Sequence, residues 1–184
     1  MTQRMPSARR PSDEERPDRS LPTLLIWAFV VLAVLQAVYY YPKMPESMAT
    51  HFASGGQPNG WSNRTSYVFL NGLMQALMVA FGFGLAWVIR RLPSRFVNIP
   101  HRELWLERPH RERTIGELTV WTRWLGALTL AFLISTTQFV YAANLGGGDP
   151  RLGSGFMVAL AAFIAAVIWM VFLLYRRFGR PPSR

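Results

Sequence analysis

Hydrophobic residues fall into four long blocks along the chain, and shorter segments rich in Arg, Pro, Gly and Ser separate them. A continuous apolar stretch of about 20 residues is long enough to cross the hydrocarbon core of a bilayer as an α-helix. The pattern therefore predicts an all-α membrane protein with four transmembrane helices. Their expected spans are about residues 21–41, 65–89, 114–143 and 152–175.

Local signals place the ends of the third helix. Thr114 and Glu117 have the spacing of a capping box, in which each side chain accepts a hydrogen bond from a backbone N–H of the first turn. We therefore expect this helix to begin at Thr114. The sequence GGGDP at 146–150 has no helical option, and it predicts a turn before the fourth helix.

Basic residues are distributed unevenly between the two sides of the predicted bundle. Five Arg precede the first helix, seven lie in 90–113 and four in 176–184, whereas the other side has only Lys43, Arg64 and Arg151. Cytoplasmic loops are enriched in Lys and Arg. We therefore expect both termini in the cytoplasm, the loop 42–64 outside it, and a multi-pass position in the cytoplasmic (inner) membrane of a bacterium-like cell.

Composition narrows the choice of partner. The chain is 51% hydrophobic and carries a formal net charge of +10, and its Arg residues lie beside the apolar blocks rather than along one soluble face. The lipid bilayer is therefore the expected partner, and nucleic acid is not. The chain has no cysteine, which excludes disulfides and Cys-ligated metals. The sequence predicts three parts: a disordered cytoplasmic tail at 1–20, the transmembrane domain at 21–175 and a basic cytoplasmic tail at 176–184.

The loop 42–64 is far longer than a turn needs. Gly55 and Gly56 permit positive φ, and the sequence Pro58-Asn59-Gly60 predicts a tight turn. We expect a structured extracytoplasmic loop between the first two helices. Its candidate functional residues are His51, Phe52, Gly56, Pro58, Asn59, Gly60, Trp61 and Arg64.

A sequence signature in this loop resembles a known family. The pattern is YPxxP at 41–45, HFxxxG at 51–56 and PNGWxxR at 58–64. It resembles the bacterial membrane proteins of domain of unknown function 1648, over roughly residues 21–90. Ala53 stands where Asn is common in that family, and Arg64 stands where Lys is common. Asn98, Pro100 and Trp105 also resemble a stretch of some relatives, and they form a second candidate segment on the cytoplasmic side.

The resemblance implies a class of function without an assigned activity. Some proteins with this segment are similar to SdpI-type immunity proteins, which protect a producer cell from its own secreted toxic peptide and are longer than this chain. Immunity or envelope sensing, with the outer loop recognising a secreted peptide, is the leading hypothesis. The alternative is a structural or accessory subunit that packs against another membrane protein.

No catalytic constellation is visible in the sequence. His51 can organise the loop, contact a ligand or sense pH, and a hydrolase built on it lacks a nucleophile–base–acid set. Trp61 fits either an interfacial anchor or a binding platform. We therefore expect no enzymatic activity, no cofactor and no metal site.

Polar and small residues inside the blocks predict contacts between helices. The polar side chains should turn inward to find partners, and Gly82 offers close approach within the bundle or in a dimer. The loop 90–113 mixes apolar residues with Arg, which suits a segment lying on anionic lipid or docking a cytoplasmic protein. The inward-turning candidates are Gln36, Asn71, Gln75, Ser135, Thr136, Thr137 and Gln138.

Overall fold

The structure is a computed structural model that describes residues 20–181. Within that range, four helices are long and apolar enough to span a membrane, which confirms the prediction of a multi-pass membrane protein. Residues 1–19 and 182–184, which belong to the two predicted tails, lie outside the described residues. The long helices are α1 (Ser20–Tyr40), α2 (Arg64–Arg91), α4 (Arg111–Leu145) and α5 (Ser154–Phe178). The shorter elements are strands β1 (Ser47–Phe52) and β2 (Pro58–Asn63) and the one-turn helix α3 (Arg102–Trp105).

Helix α4 is the common packing partner of the other long helices. Helices α1, α2 and α5 all pack on α4, whereas α1 and α2 barely touch each other. Helices α2 and α5 run antiparallel to α4, so the connections between helices lie at two opposite ends of the bundle. We call the end with β1 and β2 the hairpin end, and the end with residues 92–110 the basic end.

A pair of glycines brings α2 and α4 together. A Cβ placed on Gly126 would lie 3.4 Å from the Gly82 Cα atom, and Ile26 of α1 covers the same contact. Small residues allow this close approach of helix backbones, which replaces the hydrophobic effect as a source of affinity inside a bilayer. Gly82 therefore serves an interface within the bundle, which was one of its two predicted uses.

The predicted start of the third long helix is wrong. Helix α4 begins at Arg111, and the Thr114 N–H donates to the His110 carbonyl oxygen at 3.0 Å, as inside a regular helix. Glu117 instead accepts hydrogen bonds from Arg113 and Arg177. Other segments of the protein pack around this turn, so α4 begins before the apolar block and the capping box does not form.

Part of the basic segment 90–113 folds back onto the bundle. Trp105 is 7% exposed, and its indole N–H donates to the Phe178 carbonyl oxygen at 3.1 Å. Only Phe96 and Leu104, at 59% and 46% exposure, keep the outward position expected of a lipid-facing segment. The apolar residues that pack together here are Val97, Ile99, Trp105, Leu106, Ile115, Leu118 and Phe178.

Candidate functional site

Residues 42–64 contain an antiparallel β-hairpin, which the sequence analysis did not predict. Strands β1 and β2 pair with an irregularity on either side of His51. The turn is closed by the Ala53 N–H, which donates to the Gln57 carbonyl oxygen at 2.8 Å. The tight turn expected from Pro58 to Gly60 is wrong, because these residues begin β2. The glycines before them supply the turn instead.

Gly56 ties the hairpin turn to the connection between α4 and α5. Its φ of +76° lies in the left-handed region, and its carbonyl oxygen accepts a hydrogen bond from the Leu152 N–H at 2.9 Å. A Cβ at this position would lie 2.6 Å from the Leu152 carbonyl oxygen. Only glycine combines this backbone conformation with so close an approach.

Asn144 holds the hairpin against the last turn of α4. Its Oδ1 atom accepts from the Ala49 N–H at 2.8 Å, and its Nδ2 atom donates to the Ala49 carbonyl oxygen at 2.9 Å. The side chain thus pairs with β1 as a neighbouring strand would. The same Nδ2 atom donates to the Val140 carbonyl oxygen of its own helix. The hairpin is therefore seated on α4 in one orientation.

Arg64 closes the base of the hairpin. Its guanidinium donates to the Met44 carbonyl oxygen at 3.1 Å, and its backbone N–H donates to the Glu46 carbonyl oxygen at 3.0 Å. The guanidinium carbon lies 5.1 Å from the centre of the Tyr41 ring. Arg64 is thus satisfied inside the protein and acts as a clasp rather than as an exposed ligand-binding group.

Three of the predicted residues are exposed on the hairpin. Trp61 is 55% exposed, and Asn59 and His51 are also exposed. Gly60 lies opposite His51, where an added Cβ would be 3.0 Å from the His51 Cβ. The small size of Gly60 therefore leaves room for the imidazole. The other two candidates of the hairpin, Phe52 and Pro58, are half-buried near the turn.

An aromatic cluster joins the hairpin to the helices. Met48 and Tyr141 are buried at 0% and 1% exposure. The Tyr141 ring stacks on Tyr40 with 4.8 Å between centroids, and it meets Tyr67 edge-on at 5.9 Å. The cluster therefore contains residues from α1, α2, α4 and β1, so the hairpin packs against side chains of three helices.

A groove begins at this cluster and runs between α1 and α2. It has a volume of about 390 Å³, because the two helices pack on α4 without closing against each other. Tyr141 and Val68 line the groove near the hairpin, and Trp27 and Val79 line its far end. The rest of its wall is Val30, Ala33, Val34, Gln36, Ala37, Asn71, Gly72, Gln75, Ala76, Leu130 and Thr137.

Three polar side chains that line this groove, those of Gln36, Asn71 and Thr137, form hydrogen bonds between helices. The buried Gln36 donates to the Gln138 Oε1 atom at 2.9 Å, and Gln138 in turn donates to the Tyr40 hydroxyl at 2.7 Å. Asn71 donates to the Thr137 hydroxyl at 2.7 Å. The inward orientation expected of Gln36, Asn71 and Thr137 is confirmed.

Three further polar residues differ in position. Ser135 is exposed, and both Ser135 and Thr136 donate to carbonyl oxygens of their own helix. Gln75 lines the groove from α2, one turn beyond Asn71. The groove therefore presents amide groups in an otherwise apolar wall.

The second candidate segment lies at the opposite end of the bundle. Asn98 is exposed, Pro100 is half-buried, and Trp105 is buried against α5. The structure does not bring these residues together with the hairpin. Of the three, Trp105 supports the fold of the basic end, through its hydrogen bond and ring contact with Phe178.

Sequence reasoning missed the residues that seat the hairpin. Asn144 and Met48 have partners far away in the chain, since the Ala49–Asn144 pair spans 95 positions. One local signal was available, because Asn144 is a polar residue at the end of an apolar block. That signal does not identify a backbone edge as the partner.

Comparison with known proteins matches the hairpin region. Residues 28–75 match a sequence model of the family described as Domain of unknown function (DUF1648). The resemblance stated for residues 21–90 is thereby confirmed for this part. The matched segment covers most of α1, the hairpin and the first turns of α2, and it includes both polar residues of α2 that line the groove. The resemblance of residues 97–106 lies outside it.

A longer match extends over most of the chain. A protein of Archaeoglobus fulgidus, named "Uncharacterized protein", is 25% identical over an alignment of 170 residues. The alignment covers 87% of this chain and 85% of the relative. No solved structure matches the chain. A similar sequence therefore occurs in an archaeon.

Proposed function

We propose that the chain is a non-enzymatic binding protein of the cytoplasmic membrane of a bacterium-like cell, which recognises an amphipathic secreted peptide at its hairpin end. The observation that carries the proposal is the groove between α1 and α2. It begins at the aromatic cluster that seats the hairpin, and it combines apolar walls with side-chain amides. Its volume of about 390 Å³ lies within the range of ligand-binding pockets.

The chemistry of the groove suits a peptide. Side-chain amides such as those of Asn71 and Gln75 can donate and accept hydrogen bonds. Peptide backbone groups need such partners because an unsatisfied polar group is costly in the hydrocarbon region. An amphipathic peptide also buries its apolar face at the membrane interface, where Trp61 offers an exposed aromatic surface.

The aromatic cluster provides a route by which binding can be reported. Tyr141 lines the groove and also packs against Met48 of β1. A molecule in the groove would therefore touch Tyr141, which also packs against the hairpin. Helix α4 then extends from Tyr141 to the basic end, where Trp105 connects it to α5. This continuity supports sensing or immunity with an output at the basic end.

The proposed orientation places the hairpin end outside the cell and the basic end in the cytoplasm. The distribution of Lys and Arg supports it, and the natural absence of cysteine allows single-cysteine labelling. Ser54→Cys and Gly147→Cys should react with a membrane-impermeant maleimide in intact cells. Ser94→Cys should react only after the membrane is made permeable. The reverse pattern would contradict the orientation.

A growth assay tests the recognition function. Cells without the protein should become sensitive to the peptide fraction of their own culture medium, and the wild-type chain should restore growth. Trp61→Ala and His51→Ala should restore growth poorly. Trp87→Ala is the matched control, because Trp87 is 57% exposed at the other end of α2. Equal sensitivity of cells with and without the protein would argue against immunity.

An accessory subunit of a larger membrane complex is the second candidate. The groove between α1 and α2 favours it if the occupant is a transmembrane helix of another protein rather than a secreted peptide. Purification in mild detergent separates the two functions. A partner recovered in fixed stoichiometry from unstressed cells would support the subunit, whereas recovery of the chain alone would speak against it.

A further inference from the structure

A basic pocket and an apolar groove meet between α4 and α5 at the basic end. The pocket has a volume of about 650 Å³ and the groove a volume of about 440 Å³. Leu173 lines both, so the two are adjacent, and we refer to them together as the cleft between α4 and α5. This cleft shares no lining residue with the groove between α1 and α2, so it is a separate feature of the molecule.

The pocket carries a surplus of positive charge. Four arginines line it, at positions 113, 176, 177 and 180. Glu117, whose side chain is 15% exposed, lies 3.3 Å from the Arg113 guanidinium and 2.8 Å from that of Arg177. Within residues 20–181, no carboxylate forms an ion pair with Arg176 or Arg180. Among the described residues, Arg176 and Arg180 are therefore positive charges of the pocket that no carboxylate pairs with.

The groove has the surface that a lipid chain needs. Trp121 and Trp124 of α4 face Trp169 and Met170 of α5 across it. Tryptophan side chains favour the boundary between headgroups and acyl chains. From Trp169 to Phe178, where α5 ends, the helix advances about 14 Å. The charged pocket and the apolar groove are thus arranged as the two parts of a phospholipid are.

We propose that this cleft binds an anionic phospholipid of the leaflet at the basic end. The phosphate lies against Arg176 and Arg180, and one acyl chain follows the groove past Trp169. Arginine and phosphate form strong charge-assisted hydrogen bonds. Basic pockets between transmembrane helices are suited to anionic headgroups, and the adjoining groove selects a lipid over a free phosphate ion.

Native mass spectrometry of the full chain in detergent tests the site. The probes are dioleoyl phosphatidylglycerol, dioleoyl phosphatidylcholine and inorganic phosphate. The wild-type chain should retain phosphatidylglycerol, and an excess of inorganic phosphate should not displace it. The variant Arg176→Gln/Arg180→Gln should bind phosphatidylglycerol about tenfold more weakly, since each basic residue contributes to anionic lipid binding. Binding of phosphatidylcholine should stay unchanged.

Two further variants make the result decisive. Arg90→Gln/Arg91→Gln removes the same charge from exposed positions at the same end, so it should leave phosphatidylglycerol binding within about twofold of wild type. Trp169→Ala alters the groove at a residue that is 59% exposed. It should weaken the binding of phosphatidylglycerol without affecting the fold. Equal losses in both arginine variants, or displacement of the lipid by inorganic phosphate, would overturn the proposal.

Discussion

Single residues decide whether the hairpin can sit on the bundle. Gly56 has a positive φ, which residues with a side chain rarely adopt. In this conformation its carbonyl oxygen accepts a hydrogen bond from the Leu152 N–H. Asn144 satisfies both backbone groups of Ala49. Of the eight candidates in the loop, Gly56, Gly60 and Arg64 therefore have structural explanations, whereas His51, Asn59 and Trp61 are exposed and available for contact.

Gly56→Ala should destabilise the protein. The positive φ costs an alanine about 1–2 kcal/mol, and its Cβ would collide with the Leu152 carbonyl oxygen. Thermal unfolding in detergent should show a lower midpoint and earlier proteolysis of the hairpin. Gly55→Ala is the matched control, because an added Cβ there has no atom within 4 Å. A Gly56→Ala protein as stable as the control would contradict this explanation.

Asn144→Ala should loosen the hairpin from α4. The substitution leaves the N–H and carbonyl groups of Ala49 without their side-chain partner, at a cost of about 1–3 kcal/mol for an unsatisfied buried group. Hydrogen exchange at β1 should accelerate. Asn98→Ala, at an exposed position of the basic end, should leave both exchange and unfolding unchanged. Unaltered protection of β1 in Asn144→Ala would refute the proposed seat.

At the scale of elements, apolar blocks predicted the four long helices because membrane spans depend on local composition. The hairpin was not predicted, since it is held by Asn144 and Met48 through contacts that no local pattern contains. The predicted start of α4 at the capping box was wrong for the same reason, because contacts with distant residues also decide where this helix begins. The first turns of α4 pack against Trp105 and Phe178, so tertiary contacts extend the helix beyond its local start signal. The groove likewise depends on how α1 and α2 pack on α4.

Gly82→Leu should separate α2 from α4. An alanine Cβ at Gly82 would just reach contact distance from Gly126, at 3.8 Å, so the larger leucine must push the helices apart. Overpacking of this kind costs about 1–3 kcal/mol. The midpoint of unfolding in detergent should fall for Gly82→Leu and stay near wild type for Gly84→Leu, whose added Cβ meets open space. Similar midpoints for both would contradict the packing role of Gly82.

For the whole molecule, α4 is the element that relates the two ends. Its 35 residues extend about 52 Å, which exceeds the roughly 30 Å of the hydrocarbon core. One end seats the hairpin beside the groove, and the other carries the cleft between α4 and α5. We propose that the first end recognises a peptide and that the second binds a lipid.

The groove between α1 and α2 is the proposed binding site of the peptide. Gly72→Leu fills this groove from α2 at a position where an added Cβ has no atom within 4 Å, and Gly84→Leu makes the same change on α2 outside the groove. Growth of cells expressing each variant should be measured in the peptide fraction of their own culture medium. We expect Gly72→Leu to accumulate normally in the membrane but to lose protection, whereas Gly84→Leu should protect as wild type does. Full protection by Gly72→Leu would show that the peptide does not bind in this groove.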